Sequence, residues 1–433
     1  MSQLFLIAFR SLMQHRRRTF VLGAAIAVVT SLLIGLTGVY TGMRDTLLLS
    51  ATTLMSGHVN VGGFYKVTAG QAAPVVTGYK KIIEVVKREV PELDYVTQRG
   101  RGWAKLVSDN ASMQVGIGGI DIGLEPGFLK VVVVKAGKIE DLKKPGSLMI
   151  FEEQAKKLEV KVGDRLTISA PTFKGTNNTI DVTLVAIAQN VGMLSSWNVF
   201  VNDNDLRTLY ALNQDTTGAV LIYLKDLKSV SAVQARLRDV FAKEGYGVMD
   251  PNPVAFWMKF DAVNREGWTG QKLDITNWED ETAFVKWFVT LFSVASVIVI
   301  FILVVIIGVG MMNVMWISIR ERTREIGTLR AIGMQRLRVL VMFVIEGFLL
   351  GGLGTIAGVG LGLLMSVVLT QANIRMSTGA QLVLMSDHLV VTPTIGWSIF
   401  AVIFITAVIT LISIIPSFLA ARLKPVTAMS HIG

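Results

Sequence analysis

The chain has 433 residues, 52% of them hydrophobic and only 17% charged, against about a quarter charged in an ordinary soluble domain, so a purely soluble protein is excluded and a membrane is indicated. Zero cysteines exclude a disulfide scaffold, a thiolate metal site and a cysteine nucleophile, and four histidines leave little for a histidine-rich metal centre. The net charge of +10 raises nucleic acid as a partner, so the position of that charge decides.

Residues 1–19 read as an amphipathic segment in which Arg10, Arg16, Arg17 and Arg18 meet no acid. A spanning helix needs about 20 apolar residues, and Phe20 to Val39 (residues 20–39) supplies the first. No small-x-small site closes this run, so it reads as an uncleaved anchor rather than a secretory leader.

Residues 40–286 change to mixed composition, with turn residues separating β-rich runs from amphipathic helical ones. His58 to Val61 predicts a strand, Gly78 to Val90 a helix and Tyr95 to Val107 one or two strands. The same order recurs at Ala219 to Leu224, Ser229 to Lys243 and Gly247 to Met249, which suggests a split βαβ lobe. Between the two units, at about 110–215, strands near Met113 to Ile120, Arg165 to Ala170, Thr179 to Ala188 and Asn198 to Val201 predict an inserted β-rich lobe. Short helices at Glu152 to Leu158 and Asp203 to Leu212 accompany them. Trp257, Trp268, Trp278 and Trp287 then approach the next span. They read either as an interfacial aromatic belt or as an apolar platform contacting an amphiphile.

The charge-free run 287–319 is long enough to span and to extend as a stalk. Residues 320–338 hold six arginines against Glu321 and Glu325, and 339–372 form a third apolar run interrupted only by Glu346. Pairing of Glu346 with a neighbouring arginine, snorkelling and a proton relay are its three readings. Gly347, Gly351, Gly354, Gly358 and Gly362 give this run small-x-x-x-small steps, suited to helix packing within the chain or between subunits. A short loop at 373–392 leads to the fourth run, 393–421, with Pro416 late in it, and to a tail at 422–433 with Arg422 and Lys424. The N-terminal segment, the 320–338 segment and the tail together carry the whole net charge. Basic residues mark cytoplasmic loops, so both termini are expected in the cytoplasm and residues 40–286 outside it. The surplus is a topology signal, and no nucleic acid is expected as a partner.

Motifs for chemistry are missing. Gly137 and Lys138 are followed by Ile139, so there is no phosphate loop; there is no His-Glu-x-x-His helix and no Gly-x-Ser-x-Gly elbow. The acid pairs Glu152 and Glu153, and Asp280 and Glu281, read as solvated faces. The chain is expected to be no enzyme, with no metal and no cofactor of its own. Four spans are few for a complete pathway, so a second permease subunit is expected.

The segment Glu321-Arg-Thr-Arg-Glu-Ile-Gly-Thr-Leu-Arg-Ala-Ile-Gly333, followed by Glu346-Gly347 and the glycine-rich run, resembles the permease domain of the FtsX/MacB/Lol superfamily of ABC transporters. Ala8 to Phe20 and the stretch from Pro416 through Arg422, Pro425 and Val426 reinforce it, and the resemblance covers essentially the whole chain. It implies an α-helical membrane protein with four transmembrane helices, one plus three, and a large α+β extracytoplasmic domain of two lobes, placed in a bacterial inner membrane.

By this resemblance, residues 320–338 form a coupling segment that docks on a separate cytoplasmic ABC ATPase dimer carrying the ATP and Mg. Arg322, Glu325, Ile326, Gly327, Leu329, Arg330, Ile332 and Gly333 are its candidate contacts. The partner permease would make a homo- or heterodimer. The implied function is mechanotransmission that extracts lipoproteins or other amphiphiles from the membrane, in company with membrane lipids and a periplasmic lipoprotein, chaperone or adaptor. Alternatives are a signalling permease that activates a periplasmic hydrolase and a MacB-like efflux driver. The run Met149 to Leu166 resembles both the lipoprotein-releasing and MacB-like types, and the coupling sequence is closer to the MacB-like. Without a fused ATPase, a single-chain exporter is disfavoured.

Overall fold

The computed structural model describes residues 2–14, 16–172, 175–191, 193–377, 380 and 388–422. His15, His431, Lys424, Pro425, Val426 and part of the 373–392 loop lie outside the described residues. The chain divides into two units: residues 1–43, 290–375 and 388–433 form a helical one, and residues 44–289 with 376–387 a mixed one.

Helix α1 (Ser2–Gln14) is followed by α2 (Arg16–Ala51), which passes into a π-helical turn at Thr52–Ser56 and stops at Gly57. Gly57 adopts φ +63°, a conformation open to glycine and costly for a side chain.

The mixed unit begins with β1 (Val59–Thr68), β2 (Gln71–Ala73), β3 (Val76–Thr77), α3 (Tyr79–Glu89) and β4 (Leu93–Val107). Amphipathic α3 buries Ile82, Val85 and Val86, which recur at helical spacing. Then come β5 (Ser112–Ile120), α4 (Pro126–Val131), β6 (Val134–Gly137), β7 (Ser147–Phe151), α5 (Glu152–Leu158), β8 (Arg165–Pro171), β9 (Asn177–Ala188), β10 (Asn198–Asn202) and α6 (Asp203–Tyr210). The chain returns through β11 (Thr216–Thr217), β12 (Ala219–Leu224), α7 (Val230–Lys243), α8 (Phe260–Arg265), β13 (Gly270–Asn277) and α9 (Trp278–Glu281).

Strand order β13-β1-β12-β4 is antiparallel throughout. Both β1-α3-β4 and β12-α7-β13 are therefore βαβ units, each straddling a strand of the other, which is the split βαβ arrangement. Gly247 to Met249 is not a strand; it contributes a single bridge from Val248 to Leu273, and β13 closes the lobe instead.

The second lobe starts within β4, a single strand where one or two were expected. Its first half pairs with β12 and its second half with β5 and β8. From there β5 pairs with β10, β10 with β7, β7 with β9, and β9 with β8, which returns to β4. The ring is closed, so these strands leave no free edge among themselves. Its interior holds Leu106, Ile117, Ile150, Leu166, Ile168, Leu184 and Val201 under Leu206 and Leu209 of α6.

The helical unit contains α1, most of α2, α10 (Lys286–Glu321), α11 (Thr323–Ala331), α12 (Arg336–Gln371) and α13 (Ile395–Ala421). Among the described residues four helices are long and apolar enough to cross a membrane: Thr19–Ser56, Val289–Glu321, Arg336–Gln371 and Ile395–Ala421. Their core runs through Ile26, Ile34, Met311, Met315, Phe343, Leu350, Ile405 and Ile409. α13 continues through Pro416, which is buried one turn before its end.

Candidate functional site

Three groups of residues carry the functional expectations, and the structure treats each differently. In the coupling segment α11 turns one face inward: Ile326 and Gly327 are buried, and Leu329 is half-buried. Arg322 is also inside, its Nη1 donating to Ser11 Oγ at 2.7 Å and to Glu346 Oε2 at 3.1 Å, while its Nε donates to Glu325 Oε2 at 3.0 Å. Of the readings open to Glu346, pairing with an arginine is the one observed. Arg330 donates to the carbonyl of Ala421, at the end of α13, where a cation also meets the negative end of the helix dipole. Arg322, Ile326 and Arg330 are thus held by their own chain. The segment offers Glu325, Ile332 and Gly333 outward instead, with Ile332 81% exposed.

The turn that presents Ile332 is closely defined. Gly333 N–H donates to Arg330 O and Met334 N–H to Leu329 O, with Gly333 at φ +103°. This is a Schellman termination, which needs a residue tolerant of positive φ at that point.

The glycines of α12 serve packing within the chain. A Cβ at Gly347 would lie 2.8 Å from Ser413 Cβ, and one at Gly351 3.3 Å from Ile409 Cβ, so these two admit α13. Gly354, Gly358 and Gly362 face Ile26, Thr30 and Ile34 of α2, with distances of 3.0, 2.6 and 2.8 Å to their Cβ atoms. Gly352 and Gly360 meet nothing within 4 Å.

The four predicted tryptophans do not gather. Trp268 lies between Lys66 and Lys272, each 4.9 Å from its ring. Trp278 is buried at the start of α9, and Trp287 is exposed at the start of α10. Trp257 alone of the four lines a cavity of about 310 Å³ in the mixed unit, together with Trp103, Trp197, Phe200, Phe256 and Phe284.

Strand geometry opens this cavity. Arg101 and Trp103 of β4 stand opposite Gly118 and Gly116 of β5, which in turn neighbour Phe200 and Asn198 of β10. Partners across strands share a face, so the two glycines make room there for Phe200 and Asn198, which line the cavity. A Cβ at Gly118 would come within 2.9 Å of the Phe200 ring.

Two arginines line the cavity. Arg99 is ion-paired: its Nε donates to Glu125 Oε1 at 3.2 Å, its Nη2 lies 2.9 Å from the same oxygen, and its Nη1 donates to the Thr53 carbonyl at 2.8 Å. Arg101 has its guanidinium 3.8 Å from the centre of the Phe256 ring, and its buried Nε has no hydrogen-bond partner. Neighbouring acids are committed elsewhere. Asp274 binds Lys259 Nζ at 2.7 and 2.8 Å. Glu281, expected on a solvated face, is buried and accepts from Thr276 Oγ1 at 2.7 Å and from Asn60 Nδ2 and Phe256 N at 3.3 Å. Burial pushes its carboxyl above the usual range, against the pull of Arg101. Asp280 instead accepts from Gln234 and from the Asn277 amide.

Sequence reading missed Arg101, Trp103 and Trp197. The signal available was the alternation Arg99-Gly-Arg-Gly-Trp103, which puts Arg, Arg and Trp on one face of a strand and nothing on the other.

A profile of the MacB-like periplasmic core domain matches residues 19–240, and one of the FtsX-like permease C-terminal matches residues 297–425. The macrolide export ATP-binding/permease protein MacB of Bordetella avium is 34% identical over 142 residues, 33% of this chain and 20% of that protein. The pyoverdine export ATP-binding/permease protein PvdT of Pseudomonas fluorescens is 37% identical over 123 residues, 28% of this chain and 16% of that one. The matched segment spans at most a fifth of these relatives. Among solved structures, the periplasmic region of MacB from Actinobacillus actinomycetemcomitans aligns at 10% identity and TM-score 0.32, over 55% of this chain and 97% of that one. The extracellular domain of the ABC-type transporter YknZ from Gram-positive bacteria aligns at 14% identity and TM-score 0.30, over 43% and 95%. With the core-domain match alone covering just over half of its length, the chain belongs to the FtsX/MacB superfamily of ABC transporter permeases.

Proposed function

We propose that this chain is the permease subunit of an ABC complex in which a separate cytoplasmic ATPase dimer, carrying the ATP and Mg, drives movement of the domain at 40–286 on the far side of the membrane. Its cargo in this reading is a lipoprotein or another amphiphile drawn from the inner membrane. One observation carries the coupling role: α11 is tied through Arg322 to Ser11 and Glu346 while its end projects Ile332 into solvent. A push on Ile332 reaches α12 through that bonded group. α10 suits contact with lipid or with a second permease, since its Val297, Phe301, Ile306 and Val309 are each more than half exposed.

Ile332→Asp tests the docking. The variant should insert normally and lose most co-purifying ATPase, because a charge replaces the apolar tip; undiminished association would remove Ile332 from the interface. A second reading, efflux driven through an outer-membrane duct, is favoured by the export functions in the relatives' names. Mass spectrometry of material trapped on the complex separates the two. Acylated lipoprotein supports extraction, and a periplasmic adaptor without lipid supports efflux.

A further inference from the structure

We propose that the aromatic cavity of the mixed unit is a binding site for an amphiphile bearing one anionic headgroup, a carboxylate or phosphate monoester, with Arg101 taking the headgroup and Trp103, Trp197, Trp257 and Phe284 the apolar body. The proposal deepens the amphiphile reading above and rests on it for biological purpose, while the chemistry is set by the cavity itself.

Size comes first. About 310 Å³ lies at the lower end of ligand pockets, roughly 300–1,000 Å³. It admits one alkyl chain or ring system and excludes a folded polypeptide. The walls are aromatic, and Trp103 and Trp197 stand 48% and 43% exposed at the rim, where large apolar rings are costly unless something covers them.

Charge comes second. Two arginines two residues apart on β4 line the same space, together with one carboxylate, Glu281, which is occupied by Thr276, Asn60 and the Phe256 amide. Arg99 has Glu125 and Thr53, whereas among the described residues no carboxylate makes an ion pair with Arg101. A half-buried guanidinium with an unbonded Nε is expensive for the fold, and an entering anion relieves that expense by accepting two parallel N–H bonds.

Preorganisation comes third. The Arg101 head rests on Gly62, where an added Cβ would lie 3.2 Å from Cζ, and against the Phe256 ring. The guanidinium is therefore aimed before any ligand arrives, and little ordering is required on binding.

The test uses the full chain in zwitterionic nanodiscs, with tryptophan fluorescence quenched by bromoundecanoate, by a lysophosphatidate with a brominated chain, and by the neutral methyl ester of bromoundecanoate. Both anions should bind at least about tenfold tighter than the ester, and Arg101→Gln should erase that preference with the ester unchanged. Arg101→Lys should restore part of it. Binding of the carboxylate alone would identify a fatty-acid source, and of the lysophosphatidate alone a lipid-headgroup source; either supports the site. If Arg101→Gln does not fold, the acid-to-ester ratio of the unaltered chain and the rim variant Trp197→Ala, expected to weaken all three ligands alike, still decide. Equal binding of acid and ester overturns the proposal, and does so while leaving extraction intact if the complex still releases lipoprotein. Selective acid binding without any extraction supports the site and removes the transport reading alone.

Discussion

Among the described residues each unit has one arginine–carboxylate pair with both side chains less than a tenth exposed, and the two pairs are built differently. Among the described residues of the mixed unit Glu125 pairs with Arg99 alone, and Arg99 spends its remaining nitrogen on the Thr53 carbonyl in the π-helical turn. Tyr223 Oη donates to the adjoining Thr52 carbonyl. In the helical unit Arg322 is shared between Glu346, 3% exposed, and Glu325, whose side chain is 63% exposed. An exclusive pair makes a fixed joint, because separation strands two buried charges. A shared cation makes a joint that can shift, because one carboxylate remains when the other leaves.

The largest effect should come from breaking the fixed joint. Arg99→Met leaves Glu125 buried without its cation and should cost about 3–5 kcal/mol, read as a lower denaturation midpoint by tryptophan fluorescence. Arg99→Met with Glu125→Leu should recover much of that loss. A double variant no better than the single would show that the Thr53 contact, and not the ion pair, is the essential part.

Glu346→Ala should cost less, about 1–3 kcal/mol, because Arg322 keeps Glu325 at 3.0 Å. The comparison predicts a specific coupling: Glu325→Ala should be nearly silent alone and clearly damaging on top of Glu346→Ala. Additive effects in thermal unfolding would mean that Arg322 is not shared.

Next in size is helix packing in the helical unit. Gly358→Leu drives a side chain into Thr30 Cβ, 2.6 Å from an ideal Cβ, and overpacking of this kind costs about 1–3 kcal/mol. Gly360→Ala on the same helix, with nothing within 4 Å, should be neutral or stabilise by up to about 1 kcal/mol. If both variants behave alike in detergent unfolding, the stripe does not hold α2 against α12.

The two units also differ in how much of them could be read beforehand. The spans are legible because a bilayer imposes length and apolarity on local sequence, and α3 and α7 because one-sided helices carry a 3.6-residue period. β13 is not, because Asp274, Thr276 and Asn277 break its apolar pattern; those polar groups are satisfied by Lys259, Glu281 and Gln234, from other parts of the chain. β4 reads as one or two strands, since Gly100 and Gly102 interrupt its side chains. In the fold they are the positions where an added Cβ would meet Leu206 and Tyr210 of α6. The coupling segment was legible as a motif, yet which of its residues turn inward depends on Ser11 and Glu346, 311 and 24 positions from Arg322. The cavity was least legible, since Trp103, Trp197, Trp257 and Phe284 meet only through long-range pairing.

The smallest effect concerns pH at the strand beside the fixed joint. His58 Nδ1 accepts the Leu224 amide at 2.9 Å, and its ring meets Tyr223 edge-on at 5.3 Å. Burial lowers the His58 pKa below the usual 6.5, with Asp94 opposing. The unfolded chain therefore takes up the proton more readily than the folded one, and stability rises with pH across the window below 6.5. It is fully present above the unfolded value and is lost as pH falls through the folded one, when a protonated Nδ1 can no longer accept from Leu224. Hydrogen exchange at the Leu224 amide of the full chain, corrected for the intrinsic rate, should show protection falling on acidification, and His58→Asn should flatten that fall. Protection that stays level down to the range where carboxylates titrate would mean that the ring remains neutral throughout.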